Sequence, residues 1–330
     1  MAYMQAIVFH HTGYRLQKRP IPETGKDEVL VRTLMAGICT TDLELFRGMY
    51  DFSGVPGHEF VGMVEQDSKG DLIGKRVVAD INCGCGRCNY CVLGESRHCL
   101  ERSVIGIRSR QGAFAEYISV PRENLYVVPD NLDNMEAVFA EPLAAALQIP
   151  EQLHIKSQSE IAVLGDGKLG LLISFALSLY SQGVLLRGHH RDNLDIAARN
   201  GLQVQNIAAE RDYKDTNPDS NRFDLVVDAT GSPSGLQEAM DLTKPQGTVV
   251  LKTTSSGKPC LDTATIAVKE LIIQGSRCGD IGWALHNLSN GRISVNPLLE
   301  AVYPFSEFEQ AMQHASGKGA KKVLLDFSIR

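Results

Sequence analysis

The chain has 330 residues, 43% of them hydrophobic and 22% charged, with a net charge of −6. That length suits two domains better than one core, and the acidic balance excludes the basic footprint of a nucleic-acid binder. No apolar run reaches membrane-spanning length, since the longest, around Leu169–Leu179, is broken by Ser174 and Ser178. Met1–Phe9 alternates like a strand and lacks the basic flank and long apolar core of a signal peptide, so a cytoplasmic location is expected.

Up to Pro150 the chain is punctuated by Gly and Pro, with short β-type runs at Val29–Thr33, Phe60–Glu65, Arg76–Asp80, Ala115–Ser119 and Leu125–Val128. Beyond Glu160 the texture changes to alternation. A strand at Ile161–Leu164 precedes a helix over Lys168–Ser181, then a strand at Val184–Arg187 and a helix over Asn193–Arg199. The strand Leu225–Asp228, the helix Ser234–Leu242 and the strands Thr248–Leu251 and Leu271–Gln274 continue the series. Near the end, a helix over Glu307–His314 leads to a closing strand, Lys322–Phe327. The pattern predicts an α/β protein: a β-rich domain followed by a doubly wound parallel sheet wrapped by helices.

Between the first strand and first helix of that second part, Gly165, Gly167 and Gly170 stand at Gly-x-Gly-x-x-Gly spacing. In such a loop the first glycine permits a tight turn, the second admits a pyrophosphate, and the third lets the helix pack close to the strand. The phosphate then faces the positive end of the helix that Lys168 and Leu169 begin. An acid for the ribose hydroxyls usually ends the second strand, but here Gly188 stands there, followed by His189, His190 and Arg191. This segment reads either as a solvated basic loop or as a pocket for the 2′-phosphate of NADP. The second reading predicts NADP(H) in preference to NAD(H).

Eight cysteines fall at positions 39, 83, 85, 88, 91, 99, 260 and 278. Cys85, Cys88, Cys91 and Cys99 have the spacing of one closed tetrahedral zinc site, which stabilises a loop and leaves no position for catalysis. A ferredoxin-type run would close with a shorter gap and a proline, and this one does neither. Cys83 falls outside the pattern and reads as a spare thiol.

Two further segments carry ligand chemistry, Gly37-Ile38-Cys39-Thr40-Thr41-Asp42 and Gly57-His58-Glu59. With the cysteine lobe and the glycine loop they make the whole chain resemble the zinc-containing medium-chain dehydrogenase/reductase family. Within it, the likeness is to the polyol, threonine and secondary-alcohol dehydrogenase branch. The resemblance implies a GroES-like β-rich catalytic domain over 1–149, completed by 286–330, and a Rossmann dinucleotide-binding domain over 150–285. It also implies a catalytic zinc held by Cys39, His58 and a carboxylate. Both Glu59 and Glu141, the latter in an Ala-Glu-Pro-Leu-Ala segment, stand at matching positions. Thr41 matches a residue that starts the proton relay from substrate, and Asp42 one that orients the ligand histidine; Asp42 equally suits the cap of the helix that follows. Glu44 departs from the family, many members of which carry histidine at that point of the relay. Thr230, in Asp228-Ala229-Thr230-Gly231-Ser232, falls at a strand end expected on the nicotinamide side.

The implied activity is hydride transfer between a secondary alcohol or polyol and NAD(P), giving a ketone or aldehyde, with one catalytic and one structural zinc. The implied assembly is a homodimer or homotetramer with a small-molecule partner and neither nucleic acid nor membrane. A catalytically silent nucleotide-binding relative is the rival reading, and the intact Cys39, Thr41, His58 and Glu59 set speaks against it. The loop Leu45–Phe52 mixes apolar and charged groups and names no substrate.

Overall fold

The computed structural model describes residues 2–10, 13–48, 52–208, 219–252 and 261–329. Met49, Tyr50 and Asp51 of the loop noted above, and Cys260, lie outside the described residues. The chain forms two compact units, Met1–Glu141 with Asp280–Arg330, and Pro142–Gly279.

The first unit is built on a seven-stranded sheet. Its order is Leu125–Val127, Arg76–Ala79, Glu59–Gln66, Glu28–Gly37, Lys322–Asp326 and Leu299–Pro304, with Tyr117–Pro121 also paired to Glu28–Gly37. The central strand explains its own position. Val29, Val31 and Ala36 are fully buried, while Arg32 turns outward and pairs with Glu65 at 2.6 Å. Leu30, between the two valines, is buried as well, so this strand is covered on both faces over most of its length. The C-terminal strand returns antiparallel to this centre, with Leu324 opposite Gly37 and Leu325 opposite Ala36. On the other side Glu59 is opposite Gly37. Residues from three distant stretches of chain therefore meet where the central strand ends.

The second unit is a six-stranded parallel sheet. Its order is Gln203–Asn206, Gly183–Gly188, Glu160–Leu164, Phe223–Asp228, Thr243–Leu251 and Ile272–Gly275. Sequence order runs outward from the third strand in both directions, which is the doubly wound Rossmann order. Ile161, Ala162, Val163 and Leu164 are all buried, as a strand covered on both faces must be.

Several elements differ from the sequence expectation. The first helix of this unit stops at Ser178 instead of Ser181. The Ser181 hydroxyl donates to the Ser159 carbonyl at 2.6 Å and accepts from Gly183 N at 3.0 Å, which ties the chain down to the next strand. The next helix begins at Arg191, two residues before the expected Asn193. A helix over Ala140–Gln152 stands where the sequence reading assigned no element, and it contains Pro142 and Pro150. Pro142 falls in its first turn, where the missing N–H costs nothing. Ile281–Ser289 is a further unexpected helix, capped by Asp280, whose carboxylate accepts from Trp283 N at 2.8 Å. Among the described residues, no helix is long and apolar enough to cross a membrane.

Candidate active site

Cys39 sits at the end of the central strand and caps the helix Thr40–Phe46. Its backbone N–H donates to Asp42 Oδ2 at 2.9 Å, and its sulfur accepts from Thr41 N at 3.5 Å. This reciprocal capping explains locally why the chain turns into a helix here. It also leaves the Thr41 hydroxyl 3.6 Å from Cys39 Sγ.

Asp42 does more than cap. Fully buried, it accepts from Gly57 N through Oδ1 at 3.2 Å, and that same oxygen lies 3.3 Å from His58 Nδ1. The approach to the ring nitrogen is close but falls short of a hydrogen bond, and His58 Nδ1 has no other hydrogen-bond partner. The imidazole is thus backed by a carboxylate on one nitrogen, leaving Nε2 for another task. Burial opposes a charge on His58, but the Asp42 and Cys39 anions outweigh it and hold its pKa well above the usual imidazole value. A site that attracts a proton so strongly is one a metal cation can occupy in its place.

Glu59 opens its strand and is buried, and its Oε2 accepts from the ammonium of Lys322. The ligand atoms of Cys39, His58 and Glu59 all lie within 4.8 Å of one another. That is close to the span of a single zinc coordination sphere, and thiolate, imidazole and carboxylate are the donors zinc takes. Glu141 is not among the three. It retains some exposed surface, yet its carboxyl lies among protein atoms. Burial lifts its pKa to about 7, with Glu59 adding to the rise and His58 and Lys322 opposing it. Glu44 turns to Arg47, with the carboxylate 2.5 Å from Arg47 Nη1.

The lobe cysteines also converge. The sulfurs of Cys85, Cys88, Cys91 and Cys99 lie within 4.8 Å of one another, with Cys88 and Cys91 at 3.6 Å. Backbone N–H groups of Arg87 and Cys88 lower the pKa of Cys85, which favours the thiolate a metal requires. Cys83 is buried apart from the group, and burial raises its pKa to about 11.

In the second unit Gly165 adopts φ +101°, and a Cβ on Gly170 would lie 1.8 Å from the Gly165 carbonyl oxygen. Gly167 caps the helix Lys168–Ser178 without any side-chain bond, and nothing lies within 4 Å of where its Cβ would be. Gly167 thus brings no side chain over the helix start at Lys168 and Leu169, as a pyrophosphate cradle needs. Thr230 donates through N and Oγ1 to Asp228 Oδ1 at 3.0 and 2.8 Å, beside the Gly165 turn. His189 and Arg191 are exposed, and His190 is half-buried.

Two side chains escaped the sequence reading. Lys322 is 2% exposed. The signal for it was a lysine at an inward position of an otherwise apolar strand. Asp166, within the glycine triad, is 3% exposed and sends its carboxylate to the end of the second strand, where it bonds to His189 and His190. An acid in a phosphate-binding loop was the signal there.

Residues 25–130 match the alcohol dehydrogenase GroES-like domain. An uncharacterized zinc-type alcohol dehydrogenase-like protein of Haemophilus influenzae is 30% identical, covering 87% of this chain and 87% of that protein. Among solved structures, RspB from Escherichia coli CFT073, complexed with NADH, has a TM-score of 0.88 at 28% identity, covering 99% of this chain and 100% of that one. A zinc-binding dehydrogenase from Sinorhizobium meliloti 1021, bound to NADP, has a TM-score of 0.90 at 27% identity, with coverage of 99% and 100%. Sequence, fold order and the grouping of Cys39, His58 and Glu59 agree, and this chain belongs to the zinc-containing medium-chain dehydrogenase/reductase family, the zinc-type alcohol dehydrogenases.

Proposed function

We propose that this chain is a zinc-dependent oxidoreductase. It moves hydride between a small alcohol of the secondary or polyol type and a nicotinamide dinucleotide, giving a ketone or aldehyde. The observation that carries this reading is the convergence of a thiol, an imidazole and a carboxylate at Cys39, His58 and Glu59, backed by Asp42. These three would hold the catalytic zinc, with Glu141 as the alternate carboxylate. Bound there, zinc would supply Lewis-acid polarisation of the alcohol oxygen, and the dinucleotide would supply the hydride acceptor.

The remaining work falls to side chains of the chain itself. Asp42, with Oδ1 3.3 Å from His58 Nδ1, would hold the ring in orientation and leave Nε2 for the metal. Thr41 Oγ1, 3.6 Å from Cys39 Sγ, would accept the alcohol proton and pass it outward. Glu44 is the outer relay candidate, although its carboxylate is engaged by Arg47. In the second unit Gly165, Gly167, Lys168, Leu169 and Gly170 would cradle the pyrophosphate, with Thr230 at the nicotinamide side. Gly188, His189, His190 and Arg191 would border the adenosine ribose. A second zinc at Cys85, Cys88, Cys91 and Cys99 would have a purely structural role. We extend the proposal to a cytoplasmic homodimer or homotetramer.

The test is zinc-loaded protein assayed against a panel of secondary alcohols and polyols with each dinucleotide, followed at the nicotinamide absorbance. Turnover that disappears on chelation and returns with zinc is expected. Nucleotide binding without turnover across the panel, at verified zinc content, would establish the silent relative instead.

A further inference from the structure

The second strand of a dinucleotide fold usually ends in an acid whose carboxylate meets the adenosine ribose. Gly188 ends it here, and the place is nevertheless filled. A Cβ on Gly188 would lie 2.3 Å from Asp166 Cγ and 2.5 Å from Asp166 Oδ2. The glycine is required because a carboxylate from the neighbouring loop occupies the volume beside it.

That carboxylate is firmly held. Asp166 Oδ2 accepts from the backbone N–H groups of His189 at 3.1 Å and His190 at 2.6 Å, and Oδ1 lies 3.0 Å from His190 Nδ1. The main chain beneath it is pinned as well, since Asn193 Nδ2 donates to the Asp166 carbonyl at 2.9 Å. The amide pair that follows the second strand could have bound a phosphate, but here it already binds an anion belonging to the protein.

Resting on the oxidoreductase reading above, we propose that Asp166 selects the dinucleotide, favouring NAD(H) and excluding NADP(H). Its carboxylate takes over the role of the absent strand-end acid and fills the position a 2′-phosphate would need. Ribose hydroxyls are donors, and a carboxylate has about four acceptor sites, so a place remains for them beside the amide and imidazole contacts. A 2′-phosphate brings about two negative charges against a buried one that cannot move aside. Arg191 acts in the opposite sense, but it is exposed at the start of its helix, where solvent and salt screen it. The fixed buried charge outweighs the mobile exposed one.

The experiment measures dissociation constants of NADH and NADPH by nucleotide fluorescence, without turnover, for the wild-type chain, Asp166→Asn and Asp166→Ser. Asn retains an acceptor for the two amides and removes only the charge, so it guards against a folding failure in Ser. The wild-type chain is expected to bind NADH at least about tenfold more tightly than NADPH. Each variant should narrow that ratio by about tenfold or more, chiefly through tighter NADPH binding. Adding Arg191→Ala to Asp166→Ser should take away part of the NADPH gain. A wild-type preference for NADPH, or a ratio unchanged in both variants, overturns the assignment and leaves the oxidoreductase reading intact. Failure of both nucleotides to bind the wild-type chain overturns both readings.

Discussion

Replacing Lys322 by Met tests the least expected contact in the metal centre. The Lys322 and Glu59 side chains are 2% and 1% exposed and bonded to each other, and the ammonium also lies 5.7 Å from the centre of the Phe139 ring. Burial presses the lysine toward neutrality, yet the anions of Glu59 and Cys39 prevail and raise its pKa above the usual value. Methionine keeps the length and apolar contacts of the stem and removes the charge. Glu59 is then left buried without a counter-charge, an arrangement that costs about 3–5 kcal/mol. For a unit of this size each kcal/mol is worth about 2–4 °C, so chelator-treated Lys322→Met should melt roughly 6–20 °C below the wild type. Zinc should return much of the loss, because a dication beside Glu59 supplies the missing positive charge. Combining Lys322→Met with Glu59→Leu removes both charges and should recover most of the stability without zinc, which a double-mutant cycle reads directly. The assay is thermal unfolding by circular dichroism, with and without zinc. A single variant within about 2 °C of the wild type, or losses that simply add in the double variant, would refute the argument.

Cys91→Ser should lower stability and remove one zinc per chain while turnover of the folded fraction persists, as read by metal analysis beside a melting curve. Asp42→Asn should weaken zinc binding at the catalytic group by about 10–100-fold in chelator competition, because the carboxylate behind His58 orients the ring and raises its basicity. Unchanged affinity would reduce Asp42 to a helix cap. Thr41→Val keeps the side-chain shape and should lower kcat by about 10²–10⁴-fold with zinc and dinucleotide still bound. Near-native turnover in that variant would take the proton out of Thr41's hands.

Local spacing carried much of this protein without any tertiary information. Cys85, Cys88, Cys91 and Cys99 lie close along the chain, so the turns between them suffice to bring their sulfurs together. The glycine triad was legible for a similar reason, since one turn and one helix start need those residues within a few positions. Strand and helix periods exposed the parallel sheet, because each buried strand reads as a continuous apolar run.

Contacts that depend on chain return were not legible. Lys322 and Glu59 are 263 residues apart, and only the antiparallel docking of the last strand beside the central one brings them together. Asp166 is the sharper case. The sequence reading passed over it inside the glycine triad, while Gly188 marked an acid as missing. The expectation of NADP(H) rests on that missing residue, whereas the proposal for Asp166 rests on the carboxylate found beside it. Sequence reports which residue occupies a strand end, whereas the structure decides which side chain fills the space there. At Gly188 that side chain comes from the neighbouring loop, because the parallel pairing of the two strands sets the carboxylate of Asp166 over the amides of His189 and His190.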